Sequence, residues 1–365
     1  VKLQPIPMKK KCLMLGVGGM ARSWIFDFWA RQSHRMEFAA LVDVNAEALQ
    51  TAGEKLGLPA SALFTDPQKA FESVEADFCC IVTPPQFHRG AVELAAARGL
   101  DILSEKPIAA TWDDTVSVYK TVKQAGVRML VTQNYRYTPR ILTLKKAIAQ
   151  LGQVNYAVGR YASDYRVRGS WGAEFRHTMP HSLLVEGGIH HFDQLRNLTN
   201  GDAETISGYE WHPGFVRGAQ GGFGGGDSFE GEPCALFVMQ MHNGTFAHYE
   251  GNNLASGKTN SWHGEAYRVE CEGGAAILDS DHKVWILSRE NGELKEREIE
   301  PVMVEFAGHS AMPQQFLDWL EGGEAPPTIL DDNIKSNATL FAAITASEEK
   351  RVVNVREMLE SALEK

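Results

Sequence analysis

The chain of 365 residues carries a formal net charge of −10, with 44% hydrophobic and 22% charged residues. That length accommodates two domains with ordinary cores, and the composition is that of a soluble globular protein. The acidic balance, without a Lys/Arg-rich stripe, argues against nucleic acid as a partner, and no apolar run reaches the length of a membrane span.

The N-terminal "VKLQPIPMKKKCLML" has basic residues, but the apolar stretch behind them runs into a glycine turn, so a cytoplasmic start is expected rather than a signal peptide. "KKCLMLGVG" reads as a buried strand, "MARSWIFDFWARQ" as a helix and "EFAALVDV" as a strand. Asn45 can cap "AEALQTAGEKLG", and Asp66 with Pro67 opens "QKAFESV". "ADFCCIVTP", "LDILSEKP" and "VRMLVTQNY" read as strands; "QFHRGAVELAAARG", Thr111-capped "WDDTVSVYKTVKQAG" and "RILTLKKAIAQLG" after Thr138-Pro139 read as helices. Alternation of apolar strands with helices predicts a parallel sheet covered on both faces; five strands are read here, and a sheet of six would fit a doubly wound α/β fold.

After residue 151 the rhythm changes. "QVNYAVGRYA", "CALFVMQMH", "TFAHYEGNN", "AYRVECEG", "AAILDSD", "KVWILSRE" and "LKEREIE" look like strands, joined in part by the Asn-Gly turns of "HNGT" and "ENGE". The pattern predicts a second, α+β domain with a large, mostly antiparallel sheet. The glycine-rich "HPGFVRGAQGGFGGGDSFEGEP" reads as a mobile loop, either a lid or a connector. "SAMPQQFLDWLEGG" and "LDDNIKSNATLFAAITASEEKR" read as helices that could pack back on the first domain. The five cysteines, Cys12, Cys79, Cys80, Cys234 and Cys271, lie in or beside apolar runs without zinc spacing, as buried thiols in a reducing compartment would.

"GVGGMA" follows the first strand and opens the first helix. Gly16 permits the tight turn, Gly18 lets backbone approach a pyrophosphate, Gly19 and Met20 begin the helix whose N–H groups would meet the phosphates, and Ala21 stands in for the third glycine. Asp43 ends the second strand, where a ribose-binding acid belongs. A carboxylate there repels a 2′-phosphate, and Val44 and Asn45 supply no cation, so NAD is favoured over NADP. Thr83-Pro84 closes the strand "ADFCCIVTP" and Glu105-Lys106-Pro107 the strand "LDILSEKP". Ligands of doubly wound sheets bind outside these strand ends, which places both segments, with His88, at the nicotinamide end of the crevice.

The set "GVGGMA", "VTPPQFH", "SEKP", "NYRYTP" and "EGGIHHFD" resembles the Gfo/Idh/MocA family, which includes glucose–fructose oxidoreductase and inositol dehydrogenase, over nearly the whole chain. The resemblance implies an NAD-binding Rossmann domain, here 8–135, and an α+β substrate and oligomerisation domain, here 136–308. Terminal helices over 309–365 would pack back toward the first. It implies oxidation or reduction of a sugar or cyclitol carbinol, and a homodimer or homotetramer formed through the large sheet. The family's catalytic lysine falls on Lys106 and its Asp-x-x-x-His pair on Glu186 and His190, with glutamate replacing the commoner aspartate; Asp193 matches a further acid. Asn134, in "NYRYTP", joins the expected cofactor contacts.

On a helix Glu186 and His190 share a face and Asp193 lies one turn on, while His191 points about a quarter-turn away. Three readings compete: structural histidines, a metal held by His177, His181, Glu186 and His190, and proton transfer. Pro180 disfavours a regular helix across His177 and His181, and no metal is expected. Proton transfer fits best, because hydride transfer from a carbinol needs a base near neutrality; His190 is chosen for it, with Lys106 steadying the developing alkoxide and Glu186 orienting the histidine. Within "RYASDYRVRGSWGAEFRHTMPHS", Arg166, Arg168, Trp171 and His177, with His191 beyond it, are candidates to grip a polyol or anionic group. An NAD-dependent glycosidase working by transient oxidation and elimination is the alternative; a non-enzymatic NAD-binding regulator would not need Lys106, Glu186 and His190 together.

Overall fold

A computed structural model describes residues 8–213, 229–255 and 264–364. The start of the chain and most of the glycine-rich segment therefore lie outside the described residues. The chain divides into two units, one of residues 1–134 with 306–334, the other of 135–305 with 335–365.

The first unit is built on a six-stranded parallel sheet: β1 (Lys10–Leu15), β2 (Met36–Val42), β3 (Leu63–Phe64), β4 (Phe78–Ile81), β5 (Asp101–Ser104) and β6 (Met129–Val131), in the order β3-β2-β1-β4-β5-β6. The strand order reverses between β1 and β4, which is where such sheets open a crevice. Leu13, Met14, Phe78, Cys79, Cys80 and Leu103 are fully buried, so these strands read as unbroken apolar runs. The caps behave as expected. Asn45 accepts from the N–H groups of Glu47 and Ala48, Asp66 from Gln68, and Thr111 from Asp114. The exception is Thr138, whose hydroxyl donates to Tyr135 O instead.

The first helix differs from expectation. Gly19–Ser23 is α-helical, Trp24–Phe28 widens into a π turn, and Ala30–Gln32 is a 3₁₀ turn. The Trp29 N–H reaches back five residues to Trp24 O at 2.8 Å. Trp24, Ile25 and Trp29, at the spacing of one helical stripe, are all buried across the wider turn. Residues 306–334 finish the unit: the N–H of Val131 donates to Thr328 O at 3.1 Å, and Leu130 bridges Ile329.

Among its described residues the second unit carries nine strands: β7 (Val154–Ala162), β8 (Ala203–Trp211), β9 (Cys234–Met241), β10 (Phe246–Asn252), β11 (Glu265–Cys271), β12 (Gly274–Leu278), β13 (Val284–Glu290), β14 (Glu293–Glu298) and β15 (Val353–Asn354). Their order is β14-β13-β12-β11-β7-β10-β9-β8-β15, antiparallel throughout except for the parallel pair β7–β10. The turn at Asn291-Gly292 has both residues at positive φ, as a two-residue hairpin loop requires. One face buries Ala157, Phe237, Met239 and Tyr249; the helix Ile189–Thr199 packs on β7 and β10, and the helix Pro139–Ile148 on β12 and β13. The other face of β7–β10 exposes Tyr156, Tyr209, Trp211, Leu236, Val238 and Phe246. All five cysteines are buried and unbridged. Among the described residues no helix is long and apolar enough to cross a membrane.

Candidate functional site

In the first unit the glycine turn is set by backbone contact. Gly16 has φ +96°, and a Cβ there would stand 2.2 Å from Val82 O, so a side chain would drive β1 and β4 apart. Gly18 is extended, and nothing lies within 4 Å of where its Cβ would be. No side chain caps the helix that begins at Gly19, which leaves its leading N–H groups to a ligand. Met20, at its start, is partly exposed. Asp43 is locked at the end of β2: Oδ2 accepts the Val17 N–H at 2.8 Å and Oδ1 the Asn45 N–H at 2.9 Å. An open backbone cradle beside a fixed carboxylate fits the pyrophosphate and adenosine ribose of a dinucleotide. A cavity of about 280 Å³ adjoins the turn; Gly18, Gly19 and Asn45 line it, and Arg22 and Lys55 add two cations that the local motif had not suggested.

Along the same carboxyl edge of the sheet, past β4, His88 is buried and ties two strand-end loops together. Its Nδ1 lies 2.9 Å from Pro107 O and its Nε2 2.8 Å from Thr83 O. Burial lowers its pKa, and a neutral ring can donate to just one of the two carbonyls. His88 is thereby a brace for the Thr83-Pro84 and Lys106-Pro107 segments. Glu105 is buried; Oε1 accepts from Trp24 Nε1 at 2.9 Å and Oε2 from the Lys106 N–H at 3.2 Å. Lys106 is half-buried. His309, unnoticed in the sequence, stacks on Phe28 with ring centroids 5.0 Å apart and lies 3.1 Å from Asn134 Nδ2. Burial pushes its pKa down.

In the second unit the segment that carries Glu186 is a π-helix, Leu183–Gly188, running into the α-helix Ile189–Thr199. Glu186 is buried and accepts from Arg176 Nε at 2.7 Å. His190 is buried and lies face to face with Tyr135, ring centroids 4.0 Å apart and planes at 9°. His191 turns elsewhere: Nδ1 meets Tyr249 Oη at 3.0 Å, and its ring lies 4.6 Å from Tyr161. Asp193 is fully buried and accepts Arg136 through both oxygens, at 2.7 and 2.6 Å, and the Ser336 hydroxyl at 2.8 Å. This clamp fixes the rotation of the helix and hence the position of His190. The signal for Tyr135 and Arg136 was present in "NYRYTP", but nothing local says that they meet residues some 55 positions later.

Of the residues assigned to substrate, Arg166, Trp171, His177 and His191 are buried and Arg168 is exposed. Arg166 is paired with Asp164, Trp171 stacks on Tyr165 at 5.6 Å, and His177 packs on Phe229 at 4.6 Å. Arg168 is more exposed and pairs with Glu230 at 2.8 Å. Among the described residues His177, His181, Glu186 and His190 do not gather as metal ligands. His181 instead joins Glu210 and Glu232.

Comparison with known proteins agrees with this architecture. Residues 10–133 match the model of the oxidoreductase family with NAD-binding Rossmann fold, and residues 141–277 match the GFO/IDH/MocA C-terminal domain. The chain is 33% identical to the uncharacterized protein y4oX of Sinorhizobium fredii, over 97% of this chain and 98% of that protein. It is 23% identical to a D-apiose dehydrogenase of Paraburkholderia graminis, over 95% of this chain and 90% of that enzyme. An oxidoreductase from Agrobacterium radiobacter, solved with NAD+, L-tartaric acid and magnesium, shares the fold with a TM-score of 0.81 at 20% identity, over 96% of this chain and all of that one. With its Rossmann fold binding NAD and its nine-stranded partner unit, the chain belongs to the Gfo/Idh/MocA family of oxidoreductases.

Proposed function

We propose that this protein is an NAD-dependent dehydrogenase that moves a hydride between nicotinamide and a ring carbinol of a sugar, sugar derivative or cyclitol. The observation that carries the reading is the held state of His190. It is buried, pressed against Tyr135 at 4.0 Å, and set on a helix whose rotation is pinned by the Asp193–Arg136 pair. A general base gains from such pre-orientation. The sugar dehydrogenase among the relatives supports the substrate class.

Bound nicotinamide supplies the two-electron acceptor for the carbinol C–H hydrogen. The chain's part is the proton. His190 accepts the hydroxyl proton in oxidation and returns it in reduction, while the Lys106 ammonium donates a hydrogen bond to the same oxygen and steadies its growing negative charge. Glu186, neutralised by Arg176, orients the segment that leads to His190. Asp43 binds the adenosine ribose and favours NAD over NADP; Gly16, Gly18, Gly19 and Met20 cradle the pyrophosphate; Thr83, Pro84, Glu105 and Asn134 border the nicotinamide, with His88 bracing them. Arg166, Trp171, His177 and His191 form the wall behind the substrate. The exposed apolar face of β7–β10 joins copies of the chain into a homo-oligomer.

The test is to incubate the enzyme and NAD with free sugars and cyclitols and, in parallel, with aryl glycosides. A dehydrogenase accumulates NADH in proportion to product. Release of the aglycone with no net NADH would replace this reading with redox-elimination glycoside cleavage. That route needs an additional base beside the neighbouring carbon, for which Tyr161, Tyr165 and His177 are the candidates; burial raises the Tyr161 and Tyr165 phenols above their usual pKa, which makes those two poor ones.

A further inference from the structure

Away from the proposed chemistry, four side chains from distant parts of the second unit converge. His181 precedes the π-helix, Glu210 lies on β8, Glu232 lies two residues before β9, and Glu348 is near the end of the helix Leu330–Glu349. His181 Nδ1 is 2.9 Å from Glu210 Oε1 and 3.8 Å from Glu232 Oε2, and its Nε2 is 3.5 Å from Glu348 Oε1. One ligand atom from each of His181, Glu210 and Glu232 lies within 4.8 Å of the others.

Glu210 makes this more than a surface patch of acids. Its side chain is 1% exposed, and among the described residues Oε2 has no hydrogen-bond partner. A buried carboxylate with one oxygen unanswered is costly unless a cation meets it. One imidazole cannot fully balance the three carboxylates around it.

We propose that His181, Glu210 and Glu232 bind a divalent transition cation of the zinc class. An imidazole nitrogen and two carboxylate oxygens are a donor set such ions accept, with water completing four-coordination. Nδ1 faces both carboxylates and is the ligating nitrogen, so His181 binds as the neutral ring and releases its proton. The dication and the two carboxylates then sum to zero charge. Nε2–H is left toward Glu348, the carboxylate–histidine arrangement that orients a metal-bound imidazole. The separations need little change, because ligand atoms around a tetrahedral ion with bonds of about 2.0 Å stand roughly 3.3 Å apart. The cation cross-links β8, the approach to β9 and the approach to the π-helix that leads to His190. Its role is structural: the proton chemistry proposed above does not pass through it.

The experiment uses the full chain, stripped with a chelator and then titrated with zinc chloride while bound metal, thermal midpoint and NAD affinity are followed. One equivalent of zinc should bind, and saturation should raise the thermal midpoint by roughly 5 °C. Glu232→Gln, at a partly exposed position, should weaken zinc binding at least ~10-fold with NAD affinity unchanged, and Glu348→Gln should weaken it by about 10-fold through orientation alone. Absence of stoichiometric binding, or zinc binding by Glu232→Gln equal to that of the parent, overturns the proposal and leaves the cluster as an ion-pair network.

Discussion

The two units build their sites in opposite ways. In the first, the geometry is backbone geometry: a glycine at φ +96° packed against a carbonyl, a carboxylate held by two N–H groups, and helix N–H groups left uncapped. Main-chain groups at the ends of the adjacent strands β2, β1 and β4 do nearly all of it. In the second, His190 owes its position to side chains brought from far away, Tyr135 by stacking and Arg136 and Ser336 through Asp193. A cradle made of backbone tolerates change around it but not within it. A site made of side-chain contacts is sensitive at many remote points.

The sharpest way to break the comparison is to separate binding from chemistry. His190→Ala should lower kcat by roughly 10²–10⁴-fold, with NAD affinity measured by fluorescence or calorimetry nearly unchanged. Near-normal kcat in this variant on the natural substrate would remove His190 from its role. A smaller effect, confined to the first unit, comes from Asp43→Ser combined with Val44→Arg. The ratio of kcat/KM for NAD to that for NADP should fall by at least about 10-fold, since a repelling carboxylate is replaced by a cation. Arg22 and Lys55 beside the same turn sharpen this test. If the unaltered protein already uses NADP as well as NAD, those two cations outweigh Asp43. The smallest effect on turnover should come from Leu236→Glu, which puts a charge on the exposed face of β9. Light scattering or analytical ultracentrifugation should then show a smaller assembly than the parent, and an unchanged mass would mean that this face is not the interface.

Legibility in the sequence followed the same divide. Strands β1, β2, β4, β5 and β6, the caps at Asn45, Asp66 and Thr111, and the glycine turn were all local signals. β3 was missed because two residues hold no period, and β15 for the same reason. β8 was missed although it spans nine residues. It contains Gly208 at φ +153°, whose Cβ would meet Leu236 O at 2.1 Å, so the glycine that reads as a weak strand serves a close approach to β9. The two π turns leave no periodic trace, because each adds one residue to a single turn of an otherwise helical pattern. The spacing of Glu186 and His190 pointed to a shared helical face, yet Glu186 pairs with Arg176, ten residues back across Pro180. Tyr135, Arg136 and His309 contribute through tertiary contacts, which one sequence read alone does not pair.

The division of the chain has a consequence for how it is made. Each unit is interrupted by the other: 135–305 separates the two parts of the first, and 306–334 separates the two parts of the second. During synthesis the N-terminal 134 residues emerge with a nearly whole sheet, yet Val131 and Leu130 wait for Thr328 and Ile329. Some two hundred residues must follow before that edge is closed, about 10–40 s at ordinary elongation rates. The nascent cofactor domain therefore spends that interval with an unfinished strand border, a surface on which chaperones or aggregation would act first. For the same reason neither half can be cut out as a continuous fragment and be expected to stand alone.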